Sequence, residues 1–166
     1  MDLKERLSEN TDKLVKAASS VPEDQFNTKP DAKSWSVADI VEHLYRTEFG
    51  FPKLFQGETD KDPNRNSEAI IESFRTKLLN TGKKVKASSV VVPKVQNKDR
   101  QDWLQKFKDQ RKTIQEHIEN LEADEICKMF EHPIFGYLTR AEWIYFGIYH
   151  TERHIKQMNN TIQKIA

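Results

Sequence analysis

Two of the five histidines in this 166-residue chain stand four residues apart, in Tyr149-His150-Thr151-Glu152-Arg153-His154-Ile155. On a helix each residue advances by about 100°, so positions i and i+4 lie one above the other on one face. Imidazoles spaced in this way can grip one cation. Trp143, Gly147 and Met158 fall in the same stripe, and an adjacent stripe of Ile144, Ile148, Ile155 and Ile162 is wholly apolar. The pair therefore faces inward, away from Glu152 and Lys156. Two chemistries are open to it. Each ring can donate to a carbonyl or carboxylate of the core, because a polar group left unpartnered there is costly, or the two rings can share a metal ion. Gly147, one turn earlier, leaves room for something to approach. The pattern is not the His-Glu-x-x-His of metalloproteases: Glu152 comes one position late and turns about 200° from His150, so it cannot act as that mechanism's base.

A third imidazole favours the metal. His43, in DIVEHLYRTE, sits on another predicted helix at the edge of its buried stripe. Two facing helices can then supply three rings, the kind of site that helical bundles build in their cores. Three neutral imidazoles leave positions open for a reactant and suit Zn²⁺, Ni²⁺ or Fe²⁺. Such an ion activates a thiol or a water molecule, so transfer of a thiol to an electrophile and hydrolysis are both compatible with this ligand set. A non-catalytic metal-binding or stress-related role is the reading from another class. It requires a site closed by a fourth protein ligand.

Several residues near these three carry weaker signals. Glu48 falls in a buried stripe, which is unusual for a carboxylate; it either accepts from a buried donor or supports a ligand histidine. Gln157 is a second candidate for such support, near the His154 side. Arg153 is a candidate to bind the carboxylate or phosphate of a substrate or cofactor, or else pairs with a glutamate. His132, in a loop before Pro133, either approaches the site or caps its loop. His117 reads as solvent-exposed. Cys127 has no activating base beside it and reads as a small buried apolar residue.

These positions need a scaffold. Residues 3–19 carry Leu3, Leu7, Leu14 and Val15 at helical spacing, and Val21-Pro22 breaks the pattern. Ser36 with Asp39 forms an N-cap box, and Trp35 with Ile40 a hydrophobic staple. The second helix continues through Val37, Val41, Leu44 and Phe51 to a frayed end at Pro52 and Gly57. ETDKDPNRNS is a loop by composition, residues 67–80 form a short helix, and ASSVVVPKVQN is a connection across the bundle, since Pro93 opposes a central strand. From Asp99 to Leu121, Trp103, Leu104, Phe107, Ile114, Ile118 and Leu121 line one face of a long helix as core residues. Thr139 with Glu142 opens the last helix, Leu138 and Trp143 staple it, and it runs to about Gln163. The sum is an all-α four-helix bundle in one domain over residues 1–166, with a long connection between helices 2 and 3 and no internal repeat.

Composition excludes other classes. Lys+Arg is 27 against Asp+Glu 26, which argues against a nucleic-acid binder that relies on a basic field; Lys83, Lys84 and Lys86 read as a solvated loop. A lone cysteine forms no internal disulfide and fits a reducing compartment. The charged start MDLKERLSEN has no apolar signal segment, and no apolar run approaches a membrane span. A cytoplasmic location is the expectation.

SWSVADIVEHLYRTE, HPIFGYLTRAEW and HTERHIKQM together resemble, in kind and order, the DinB-like superfamily of four-helix metal proteins. The resemblance covers nearly the whole chain. It implies that His43, His150 and His154 bind one divalent ion and that the fold is often a homodimer. It also implies a small-molecule substrate, with low-molecular-weight thiols as co-substrates in transferase members and isomerase chemistry in others.

Overall fold

The computed structural model describes residues 1–79 and 87–166. Helix α1 (Leu3–Ser19) is opened by Asp2, whose side chain accepts from the Glu5 backbone while Glu5 caps in return. Helix α2 (Val37–Glu48) starts from Ser36 and Asp39, each backbone N–H bonded to the other's side chain at 3.0 Å. Helix α6 (Arg140–Ile165) repeats the device with Thr139 and Glu142, also at 3.0 Å. These reciprocal bonds satisfy donors that every helix start leaves without partners.

The expected second helix is two helices. α2 stops at Glu48, and α3 (Phe51–Gln56) follows with Pro52 in its first turn. Proline has no N–H, and its ring crowds the carbonyl four residues back, here that of Glu48. Helix α4 (Ser67–Leu79) and helix α5 (Arg100–Asn120) lie where the periodicity puts them, and α6 runs two residues past Gln163. The loop 58–67 contains one surprise: β1 (Thr59–Asp60) pairs antiparallel with β2 (Ile126–Cys127). Lys83, Lys84 and Lys86 lie outside the described residues.

Helices α5 and α6 each pack against both α1 and α2, and α4 lies on α6. The bundle is therefore α1, α2, α5 and α6, and α3, β1 and α4 all belong to the long connection between α2 and α5. The core has two apolar regions. One holds Leu7, Phe51, Phe55, Phe74, Ile114, Trp143 and Ile148, the other Leu14, Ile40, Leu44, Trp103, Phe107 and Met158.

A polar layer separates them, with a contribution from every bundle helix. Arg111, between Phe107 and Ile114, is 2% exposed. Its guanidinium donates to Glu48 at 2.6 and 2.8 Å, to Asn10 Oδ1 at 3.0 Å, to Thr11 Oγ1 at 3.2 Å and to Thr151 Oγ1 at 2.8 Å. Asn10, Thr11 and Thr151 each sit on their own helix between residues of the two apolar regions, and Glu48 ends α2 between Leu44 and Phe51 of α3. A buried charge is tolerable only when it is paired and hydrogen-bonded in this way.

Candidate metal centre

His43 is carried by α2, and His150 and His154 by α6. Nε2 of His150 lies 3.3 Å from Nε2 of His43 and 3.1 Å from Nε2 of His154. The three ligand atoms all fall within 4.8 Å of one another. His43 and His154 are 4% and 8% exposed, whereas His150 is half-buried.

The opposite edges of two rings fix their protons. Nδ1 of His43 lies 2.9 Å from the Val91 carbonyl oxygen, which can only accept, so Nδ1 carries the hydrogen. Nδ1 of His154 lies 2.7 Å from Gln157 Oε1 and donates in the same way. Both Nε2 atoms therefore present lone pairs. His150 Nδ1 is buried without a protein partner. At most one proton, on His150, is then available among three converging nitrogens, and it can serve one N–H···N bond at a time. A cation would use all three lone pairs. At Zn–N distances of 2.0–2.1 Å, tetrahedral ligands stand roughly 3.3–3.4 Å apart, close to the two separations above. Among the described residues the cluster holds these three groups and no fourth histidine, cysteine or carboxylate.

The surroundings keep the rings uncharged. Burial lowers the pKa of His43, with the Val91 bond opposing. Burial, reinforced by His43, brings His154 down to about 3. Burial and the neighbouring His154 and His43 hold His150 well below the usual histidine range. Desolvation disfavours the charged form, so proton competition for the lone pairs is weak at neutral pH. The walls are aromatic. Trp35 sits 4.9 Å from the His43 ring and 6.4 Å from that of His154, and Phe146 stacks on His150 at 5.4 Å. Two open surface grooves, of about 380 Å³ between α1 and α6 and about 370 Å³ between the α2–α3 corner and α5, lie elsewhere and include none of the three histidines.

The other sequence candidates divide. Gln157 touches His154. Glu48 gives both oxygens to Arg111 and serves the polar layer. The room left by Gly147 is taken by that same carboxylate: a Cβ there would stand 3.1 Å from Glu48 Oε2 and 3.5 Å from the Phe51 ring. Arg153 Nη1 donates to the Leu78 carbonyl, and its charge helps to lower the pKa of both His150 and His154. His132 caps its own turn. Its Nδ1 accepts from the backbone of Ile134 and Phe135 at 3.1 and 3.2 Å, Gly136 closes that turn at φ 77°, and burial brings the ring to about pKa 4. His132 also packs 4.7 Å from Phe146, one ring away from His150. His117 is half-buried rather than fully open to solvent, and Gln56 reaches across to it in an exposed contact. Cys127 is fully buried, and burial pushes its thiol up to about 11.

Sequence reasoning missed Trp35 as a wall of the site, the Val91 carbonyl, and Arg111. The first had a visible role as a staple that concealed this one. The second is backbone and leaves no side-chain signal. Arg111 was discoverable as a cation at helical spacing between Phe107 and Ile114.

Comparison with known proteins agrees with this fold. The model of the DinB superfamily matches residues 6–158. YuaE of Bacillus subtilis strain 168, described as uncharacterized, is 25% identical over 147 residues, 86% of each chain. Among solved structures, YfiT of Bacillus subtilis superposes with a TM-score of 0.60 at 16% identity, covering 98% of this chain and 85% of that one. YfiT is described as a probable metal-dependent hydrolase with an unusual four-helix bundle topology. With a match spanning most of its length, this chain belongs to the DinB superfamily.

Proposed function

We propose that His43, His150 and His154 hold one divalent cation and that the protein is a metal-dependent enzyme acting on a small molecule. The observation that carries this reading is the convergence of three Nε2 atoms, two of them fixed as lone-pair donors by Val91 and Gln157. When bound, the ion supplies Lewis acidity that lowers the pKa of a coordinated thiol or water. The chain's own residues do the rest. Val91 and Gln157 orient the rings, Trp35 and Phe146 exclude water from their flanks, and the half-buried His150 marks the side nearest solvent. The absence of a fourth ligand from the described cluster supports catalysis over a purely structural ion.

The leading reaction is transfer of a low-molecular-weight thiol to an electrophile, which the family resemblance implies. Arg153, whose charge is felt at two of the rings, is assigned to attract the anionic part of the thiol or substrate. Hydrolysis is the second reading, favoured by the description of YfiT. One assay separates them. The zinc- or nickel-loaded protein is incubated with an activated aryl halide and a panel of thiols, and in parallel with an activated ester in water alone. Metal-dependent thioether formation supports transfer, and metal-dependent hydrolysis without thiol supports the second reading. Silence in both arms leaves a metal-binding protein without turnover. The homodimer implied by the family belongs to this proposal and is checked by light scattering.

A further inference from the structure

The segment from Val91 to Lys98, which leads into α5, crosses the outside of α2 as a strap. Apolar burial does little to hold it: Val90 is 70% and Val95 41% exposed, and Val91, Val92 and Pro93 are only half-buried. Polar bonds to one turn of α2 hold it instead. Glu42, fully buried, accepts from the backbone N–H of Lys94 at 2.9 Å and of Val95 at 3.0 Å. Lys98, itself 5% exposed, places its ammonium 2.9 Å from Glu42 and 3.2 Å from Asp39, and donates to the Val95 carbonyl at 2.6 Å. Asn27 pins the Lys98 backbone from the far side, at 2.8 and 2.9 Å. The next residue of α2 after Glu42 is His43, and its Nδ1–H is received by the strap's Val91 carbonyl.

We infer that Glu42 is a positioning residue for the metal centre: its carboxylate fastens the strap, and the strap in turn presents the carbonyl that aims His43 at His150 and His154. The inference rests on the metal reading above. Its physical basis is that the partner of a ligating imidazole's second nitrogen fixes ring orientation and basicity. Here that partner is a backbone carbonyl on a segment anchored chiefly through one side chain. A segment held by a few polar bonds opens more easily than the core. Coupling between two sites is reciprocal. A cation on Nε2 makes His43 Nδ1–H a stronger donor to Val91 and so holds the strap closed, and a closed strap raises affinity for the cation.

The test uses the full chain with zinc and with cobalt. Zinc should slow amide hydrogen exchange at Lys94 and Val95 by at least severalfold, compared with metal-free protein. Glu42→Gln should weaken zinc binding about tenfold and shift the visible absorption bands of the cobalt-loaded protein. Glu119→Gln, which loosens an exposed ion pair with Lys4 at the end of α5 away from the strap, should change neither affinity nor spectrum. Wild-type protein that binds zinc stoichiometrically with unchanged exchange at these two amides overturns the inference, even if Glu42→Gln fails to fold. So does a folded Glu42→Gln variant with wild-type affinity and spectrum. Both results leave the metal reading standing. Wild-type protein that takes up no stoichiometric metal removes that reading and this inference together.

Discussion

Gln157 Oε1 lies 2.7 Å from Nδ1 of His154, one turn further along the same helix. The bond fixes the proton on the outer nitrogen and frees the inner one. Replacing Gln157 with leucine should therefore weaken zinc binding about tenfold. Gln157→Glu should recover or exceed wild-type affinity, because a carboxylate makes the imidazole a better ligand. Competition with a colorimetric zinc chelator reads both, and equal affinity across all three proteins would refute the assigned role.

Removing one partner from the polar layer should be far more damaging than removing both. Arg111→Met leaves the Glu48 carboxylate buried beside Gly147 without its cation, at a cost of about 3–5 kcal/mol. The double variant Glu48→Gln/Arg111→Met should recover a substantial part. Urea denaturation of the metal-free proteins measures this, and a double variant as unstable as the simple sum would contradict the pairing.

At Gly147, alanine would ordinarily add about 1 kcal/mol through helix propensity. Here the added Cβ meets Glu48 Oε2 at 3.1 Å, and two bonds from Arg111 hold that carboxylate in place. Overpacking of about 1–3 kcal/mol should win, so that Gly147→Ala is net destabilising by about 1 kcal/mol. A rise in its thermal midpoint would show that the carboxylate yields.

The metal-free protein should lose stability in mild acid. His43, His132, His150 and His154 all have folded pKa values depressed by burial, so below about 6.5 the unfolded chain binds more protons than the folded one. Stability is complete above that pH and falls as pH drops through about 6 toward about 4, by up to about 1.4 kcal/mol per pH unit for each ring. Glu42 acts later. Burial alone would raise its pKa, but Lys98, the Lys94 amide, Arg46 and the Val95 amide hold it at about 2. Its share, on the order of 3 kcal/mol, is present above about 4.5 and lost as pH falls through about 2. Saturating zinc should delay the first loss to lower pH by occupying the lone pairs. Denaturant midpoints that stay flat between pH 7 and 5 without metal would contradict the burial of neutral rings.

Much of this arrangement is legible in the residues. Ser36 with Asp39 and Thr139 with Glu142 announce the starts of the two helices that carry the histidines, and the i, i+4 spacing fixes which face they share. His43 could be placed only at the edge of a stripe. What brings it inward is a carbonyl 48 residues away, and backbone partners across such a distance leave no pattern in the chain. The same holds for Glu48, whose burial was visible while its partner on another helix was not. The break between α2 and α3 was signalled by Pro52 but masked by the continuing apolar spacing of Phe51.

The central claim is tested most directly by the zinc content of purified protein after loading and desalting, measured by elemental analysis for wild type, His154→Ala and His117→Ala. One ion per chain is expected in wild type and in His117→Ala, and essentially none in His154→Ala. Metal-free wild type, or equal loss in the two variants, would contradict it.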